Sequence, residues 1–163
     1  MPRASRSVVA VLLALAALAG CSRARRPSFP PPARPPLFVQ LDFETVFNQL
    51  RSMLEARSYP LVIEDERFGS VRTDWVYFEP GEVDVRPMAD CPAGGVGDAR
   101  IRARFGFDVR RRTIQSTVTI LSHWQVERLA GFDRSDRGFV DCRSTGEWER
   151  MIEATLTQRG TIR

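Results

Sequence analysis

The chain has 163 residues, 43% of them hydrophobic and 27% charged, with a formal net charge of +4 at pH 7 and a single histidine. Six of the 24 basic residues, all arginine, precede Leu37, so from Leu37 onward 18 arginines meet all 20 acidic residues, a net charge of −2. Nucleic-acid binding rests on a concentrated positive field, so this balance speaks against it, and the part from Leu37 onward has the size of one domain with one core.

Arg3 and Arg6 precede an apolar run over residues 8–19. That run is shorter than the roughly 20 residues a spanning helix needs, which marks a secretory signal peptide. The junction Leu18-Ala19-Gly20-Cys21 resembles the lipobox of bacterial lipoproteins. The resemblance implies cleavage before Cys21, lipidation of that cysteine and a membrane held through the lipid. Several acyl chains make such an anchor stable, where one would be marginal. Ser22 rather than Asp follows the cysteine, which by the same resemblance implies sorting to the outer membrane on its periplasmic side, with the inner membrane as the alternative.

Residues 22–36 contain six prolines and no run able to build a core. An extended polyproline path at about 3.1 Å per residue makes this a tether reaching roughly 45 Å. The organisation expected is therefore a signal peptide over 1–20, lipidated Cys21 and tether over 21–36, and one periplasmic α+β domain over 37–163. With Cys21 carrying lipid, Cys91 and Cys142 remain as a pair in an oxidising compartment, and a disulfide between them is expected. The alternative is two separate buried thiols. No CxxC or clustered histidine accompanies them, so no metal site is expected.

Within residues 43–57, Phe43, Val46, Phe47, Leu50, Met53 and Leu54 fall on one helical face, with Asp42 placed to cap the start. Residues 61–63 read as a short strand and 64–69 as a charged turn. Residues 70–78 read as a second strand, with Val71, Thr73, Trp75 and Tyr77 on one face. Residues 99–109 alternate strictly, Ile101, Ala103, Phe105, Phe107 and Val109 against Arg100, Arg102, Arg104 and Asp108. A turn at 110–112 and a strand over 113–126 complete a hairpin covered on one side. Segments 79–98 and 127–141 have loop composition. Ser144-Thr145-Gly146-Glu147 matches a capping box before a helix with Trp148, Met151, Ile152, Thr155 and Leu156 on its apolar face. The order helix, four strands, helix predicts an α+β domain: an antiparallel four-stranded sheet with two helices packed on one face.

Chemistry-bearing patterns are few. His123 is the only histidine and no HExxH or GxSxG motif surrounds it. Glu64, Asp65 and Glu66 offer paired carboxylates but read as a solvated turn. Gly94-Gly95-Val96-Gly97 lacks the GK[ST] ending of a phosphate loop. Arg100, Arg102 and Arg104, together with residues 110–112, form the most positive feature, an exposed face or a binding site for phospholipid or polysaccharide. No catalytic residue, metal or cofactor is expected.

Residues 43–75 combine an amphipathic helix, Arg57-Ser58-Tyr59, an apolar strand and Asp65-x-x-x-Gly69-x-Val71-x-Thr73-x-Trp75. This stretch resembles the helix-hairpin unit of the BamC-type lipoproteins, accessory subunits of the outer-membrane β-barrel assembly machinery with helix-grip domains. The chain has room for one such domain where that family has two. The resemblance implies a helix-grip-like fold and an envelope protein as partner. The function expected is a non-catalytic, lipid-anchored periplasmic binding domain in envelope or barrel assembly. Its alternative is a binder of anionic envelope ligands through the arginine strand, and a third reading is a small envelope hydrolase.

Overall fold

The computed structural model describes residues 29–81, 84–92, 99–127 and 138–158. The leader, Cys21 and the Gly94–Gly97 motif lie outside these residues. The described strands are β1 (Leu37–Val39), β2 (Leu61–Asp65), β3 (Ser70–Thr73), β4 (Val76–Phe78), β5 (Ala89–Asp90), β6 (Ile101–Arg111), β7 (Ser116–Glu127) and β8 (Phe139–Ser144). The helices are α1 (Phe43–Glu55) and α2 (Glu147–Gln158).

The alternating arginine strand and its return form the spine. β6 and β7 pair antiparallel from Ile101↔Val126 to Arg111↔Ser116. Every other strand is built onto this hairpin, β3 and β4 along the free edge of β6, β1 and β8 along that of β7, with β2 and β5 outermost. The hairpin turn falls at residues 112–115, closed by Arg112 N–H donating to Gln115 O at 2.9 Å, later than the expected 110–112.

The expected four-stranded, helix-grip-like sheet with two helices packed on one face is therefore corrected: the described residues form mostly an antiparallel sheet of eight strands with two short helices. Two of the additional strands, β1 and β5, have only three and two residues, and β8 has Cys142 as its one buried side chain. Segments this short carry no period of their own. Pairing with β7 and β8 makes them strands, because sheet preference is mostly the fit to neighbours.

A fourth strand arises because the expected run over 70–78 breaks at Asp74-Trp75. Asp74 N–H donates to Pro60 O at 2.8 Å, and Trp75 N–H to the Asp74 carboxylate at 2.8 Å. The break changes the side-chain phase. Val71 and Thr73 face the core, 0% and 1% exposed, whereas Tyr77 lies opposite Arg102 on the other side of the sheet and the Trp75 ring packs there, tilted, against His123. The expected single face of Val71, Thr73, Trp75 and Tyr77 is thus split, since one irregular step in a period-2 pattern inverts everything after it.

Helix α1 buries Phe43, Val46, Phe47, Leu50, Met53 and Leu54, the expected six, and the Asp42 carboxylate accepts from Thr45 N–H at 2.9 Å. In α2, Trp148, Ile152 and Leu156 are buried but Met151 is 39% exposed. The expected capping box is replaced. Gly146, at φ 83°, starts the helix by accepting from Arg150 N–H, and Ser144 Oγ accepts from Gly146 rather than from Glu147. Glu149 takes a buried place instead, its carboxylate accepting from Ser122 Oγ at 2.6 Å and Ser144 Oγ at 3.2 Å.

Phe105 sits where these elements meet. Its ring stacks on Trp148 at 4.3 Å and on Tyr59 at 5.1 Å and meets Trp124 edge-on at 5.4 Å. Burial in this cluster pushes the Tyr59 phenol pKa up. Cys91 and Cys142 form a disulfide with Cα atoms 4.3 Å apart, tying the segment around β5 to β8.

Candidate functional site

The face of the sheet turned away from the core carries the polar phase of β6 and β7. Arg102 lies opposite Gln125 and Arg104 opposite His123, with Asp141 of β8 opposite Gln125. The inverted phase after Asp74 adds the Trp75 ring to this face. The result is an alternating stack of rings and guanidinium groups. Phe139 lies 3.7 Å from Arg102, Arg102 4.2 Å from Trp75, and Trp75 4.7 Å from Arg104. Phe29 follows, 5.2 Å from Arg104 and 5.2 Å from Arg72. Each guanidinium thus meets the negative face of at least one ring, an attraction worth about 0.5–1 kcal/mol where water has access.

Edges of the same groups are held by hydrogen bonds. Arg102 Nε donates to Gln125 Oε1 at 2.8 Å, and Arg104 Nε to His123 Nδ1 at 3.2 Å. With Nδ1 accepting, the proton of a neutral His123 sits on Nε2, which lies 2.7 Å from Asp141 Oδ1. Gln125 Nε2 donates to the same oxygen at 2.7 Å. The bonds from Gln125 and then His123 hold the Asp141 carboxyl below the usual carboxylate range. Burial, followed by the charge of Arg102, lowers the Arg104 guanidinium.

Arg72 closes the stack at the other end by lying across Gly106. It donates to Phe107 O at 2.6 Å and to Asp108 at 2.5 Å, and a Cβ at Gly106 would collide with its side chain. Arg100 stands apart from the stack in an ion pair with Glu79 at 2.9 Å.

Of the expected ligand-binding arginines, then, Arg102 and Arg104 are assembled with aromatic rings and Arg100 is neutralised by Glu79. The His123–Asp141 pair lacks the geometry of a nucleophile's base: its second nitrogen is occupied by Arg104, and neighbouring Ser122 points to the core side, where it accepts from Trp124 Nε1 at 3.1 Å. In the acidic turn, Glu64 pairs with Arg51 at 2.6 Å and Asp65 accepts from Phe68 N–H. Among the described residues no group of three His, Cys, Asp or Glu side chains is placed to hold a metal ion.

Trp75, Phe139, Phe29 and Asp141 belong to this face without being marked for it by the periodicity of their own segments. One signal was present. Asp74 is a poor strand residue in the middle of an otherwise β-rich run, and a break there predicts the change of phase.

No protein-family profile matches the chain, and no curated protein matches it.

Proposed function

We propose that the chain is the precursor of a bacterial lipoprotein, exported, lipidated on Cys21 and held at the outer membrane, whose periplasmic domain is a non-catalytic binding module of the envelope. The observation that carries this reading is the coincidence of Arg3 and Arg6, the apolar run over 8–19 and Leu18-Ala19-Gly20-Cys21. The disulfide supports it. Of three cysteines, Cys91 and Cys142 are bonded, as suits an oxidising compartment, and Cys21 is left for the lipid.

The tether is shorter in effect than its length. Phe29 is stacked on the domain, and Arg34 pairs with Glu153 at 2.9 Å. Only residues 22–28 then separate the lipidated cysteine from the docked segment, a reach of about 25 Å at full extension. The domain works close to the membrane surface. The likeness of residues 43–75 to the BamC-type unit directs the choice of partner to the β-barrel assembly machinery.

Metabolic labelling with a palmitate analogue tests the anchor: the wild-type chain takes up label and Cys21→Ala does not. A wild-type chain without label refutes the reading. Cross-linking in whole cells tests the partner, with subunits of the barrel assembly machinery expected among the products.

A further inference from the structure

The three most exposed large apolar side chains of the described residues gather at one end of the sheet, ahead of Val62 at 53% and Tyr77 at 48% elsewhere. Ile114 in the β6–β7 turn is 78% exposed, Phe68 in the β2–β3 turn 63% and Phe38 on β1 59%, the three highest values for large hydrophobic side chains among the described residues. Specific contacts bring them to this end. Gly69 O accepts from Val109 N–H at 2.8 Å, which sets Phe68 beside the last residues of β6. Arg112 reaches toward Thr117 at 3.4 Å and covers the Phe38 ring at 5.9 Å.

Arginine surrounds these tips. Arg67 lies over Phe68 at 5.7 Å, Arg110 lies near the end of β6, and Arg112 begins the β6–β7 turn. Arg111 is already held by Glu44 at 2.7 Å, and Glu66 is the acid beside Arg67. Between Phe68 and Arg110 the surface forms an open concavity of about 620 Å³.

The geometry points to a membrane-contact surface: the tips of Phe38, Phe68 and Ile114 enter the interface of an anionic phospholipid bilayer, with Arg67, Arg110 and Arg112 at the level of the head groups. Separate apolar tips on turns and a sheet edge suit shallow insertion, whereas a stable protein interface needs a continuous patch of about 800 Å² per partner. Arginines in a ring around such tips keep their charge in the head-group layer while their stems lie along apolar surface, and an anionic leaflet attracts each of them. The inference stands on this surface and does not require lipid on Cys21.

The full chain, isolated from membranes and reconstituted into vesicles of phosphatidylglycerol and phosphatidylcholine with brominated acyl chains, provides the test. Ile114→Trp places a fluorophore on the turn, and Tyr77→Trp places one at the opposite end of the sheet. The emission that each substitution adds to that of the wild type is the quantity read. The emission added by Ile114→Trp should be quenched severalfold more strongly than that added by Tyr77→Trp. Combining Ile114→Trp with Arg110→Glu and Arg112→Glu should abolish the difference while the melting curve stays that of a folded protein. Equal quenching at the two positions overturns the inference, as does quenching that persists unchanged in the charge-reversed chain. The mass of the peptide carrying Cys21 reads lipidation separately. A lipidated chain with equal quenching defeats this surface alone, and an unlipidated chain with selective quenching defeats the anchor alone.

Discussion

Thr73 decides how the sheet survives its own interruption. Where β3 ends and the backbone ladder to β6 is lost, Thr73 Oγ1 accepts the Phe105 N–H at 2.9 Å, and the hydroxyl is buried with its side chain 1% exposed. A buried N–H without an acceptor costs about 1–3 kcal/mol. Thr73→Val keeps the shape and removes the acceptor, so urea unfolding should show a loss of that order; an unchanged midpoint would remove Thr73 from this role. Gly69 has a comparable local reason. It holds φ at 65° and its Cα faces the Val109 carbonyl so closely that a Cβ would collide, a position that only glycine fills without strain. Gly69 is thus required by the close approach of the β2–β3 turn to β6.

Among the elements, α2 is held by two kinds of contact that its apolar spacing reveals only in part. Trp148, 2% exposed, stacks on Phe105 and Phe107, and the buried Glu149 carboxylate gathers the hydroxyls of Ser122 and Ser144. Trp148→Asp would bury a charge among aromatic rings, and the domain should lose its cooperative melt by circular dichroism. A native-like melting curve would contradict this packing. The edge formed by β5 and β8 depends on a different device. These strands bury only Ala89 and Cys142, and the bond between residues 51 apart restrains them. Closing a loop of that length stabilises by on the order of 4 kcal/mol on the chain-entropy account. The paired substitution Cys91→Ser, Cys142→Ser should lower stability by a comparable amount in denaturant titration, and a negligible change would leave the bond in place but without a structural role.

At the scale of the whole molecule, the sheet has one face given to the core and one to a network of charge and aromatic rings that crosses β3, β4, β6, β7 and β8. Its acid sensitivity follows from Asp141. The folded-state pKa of this carboxyl is depressed by its bonds from Gln125 and His123, so its contribution is fully present above its unfolded value of about 3.9 and is lost as pH falls through the lowered one. The difference in melting temperature between the wild type and Asp141→Asn should shrink as pH falls below about 4. A difference that persists undiminished well below about pH 4 would exclude Asp141 as the group responsible.

Some of this was legible along the chain. The six buried positions of α1, its Asp42 cap, the alternation of β6 and the pairing of Cys91 with Cys142 follow from local periodicity, local hydrogen bonding or simple counting. Each depends on residues within a turn or two of one another, or on the expectation that lipid on Cys21 leaves two cysteines to pair. The rest was settled by contacts distant in sequence. β1, β5 and β8 become strands through their partners, the phase of Trp75 and Tyr77 turns on Asp74 N–H meeting Pro60 O, and Glu149 is buried because two serines from different strands point at it. The same holds for the arginines of β6. Alternation placed Arg102 and Arg104 on the outer face, but rings supplied by residues 29, 75 and 139 decided that they would be stacked there, because a side chain's neighbours across a sheet are set by tertiary pairing and not by its own segment.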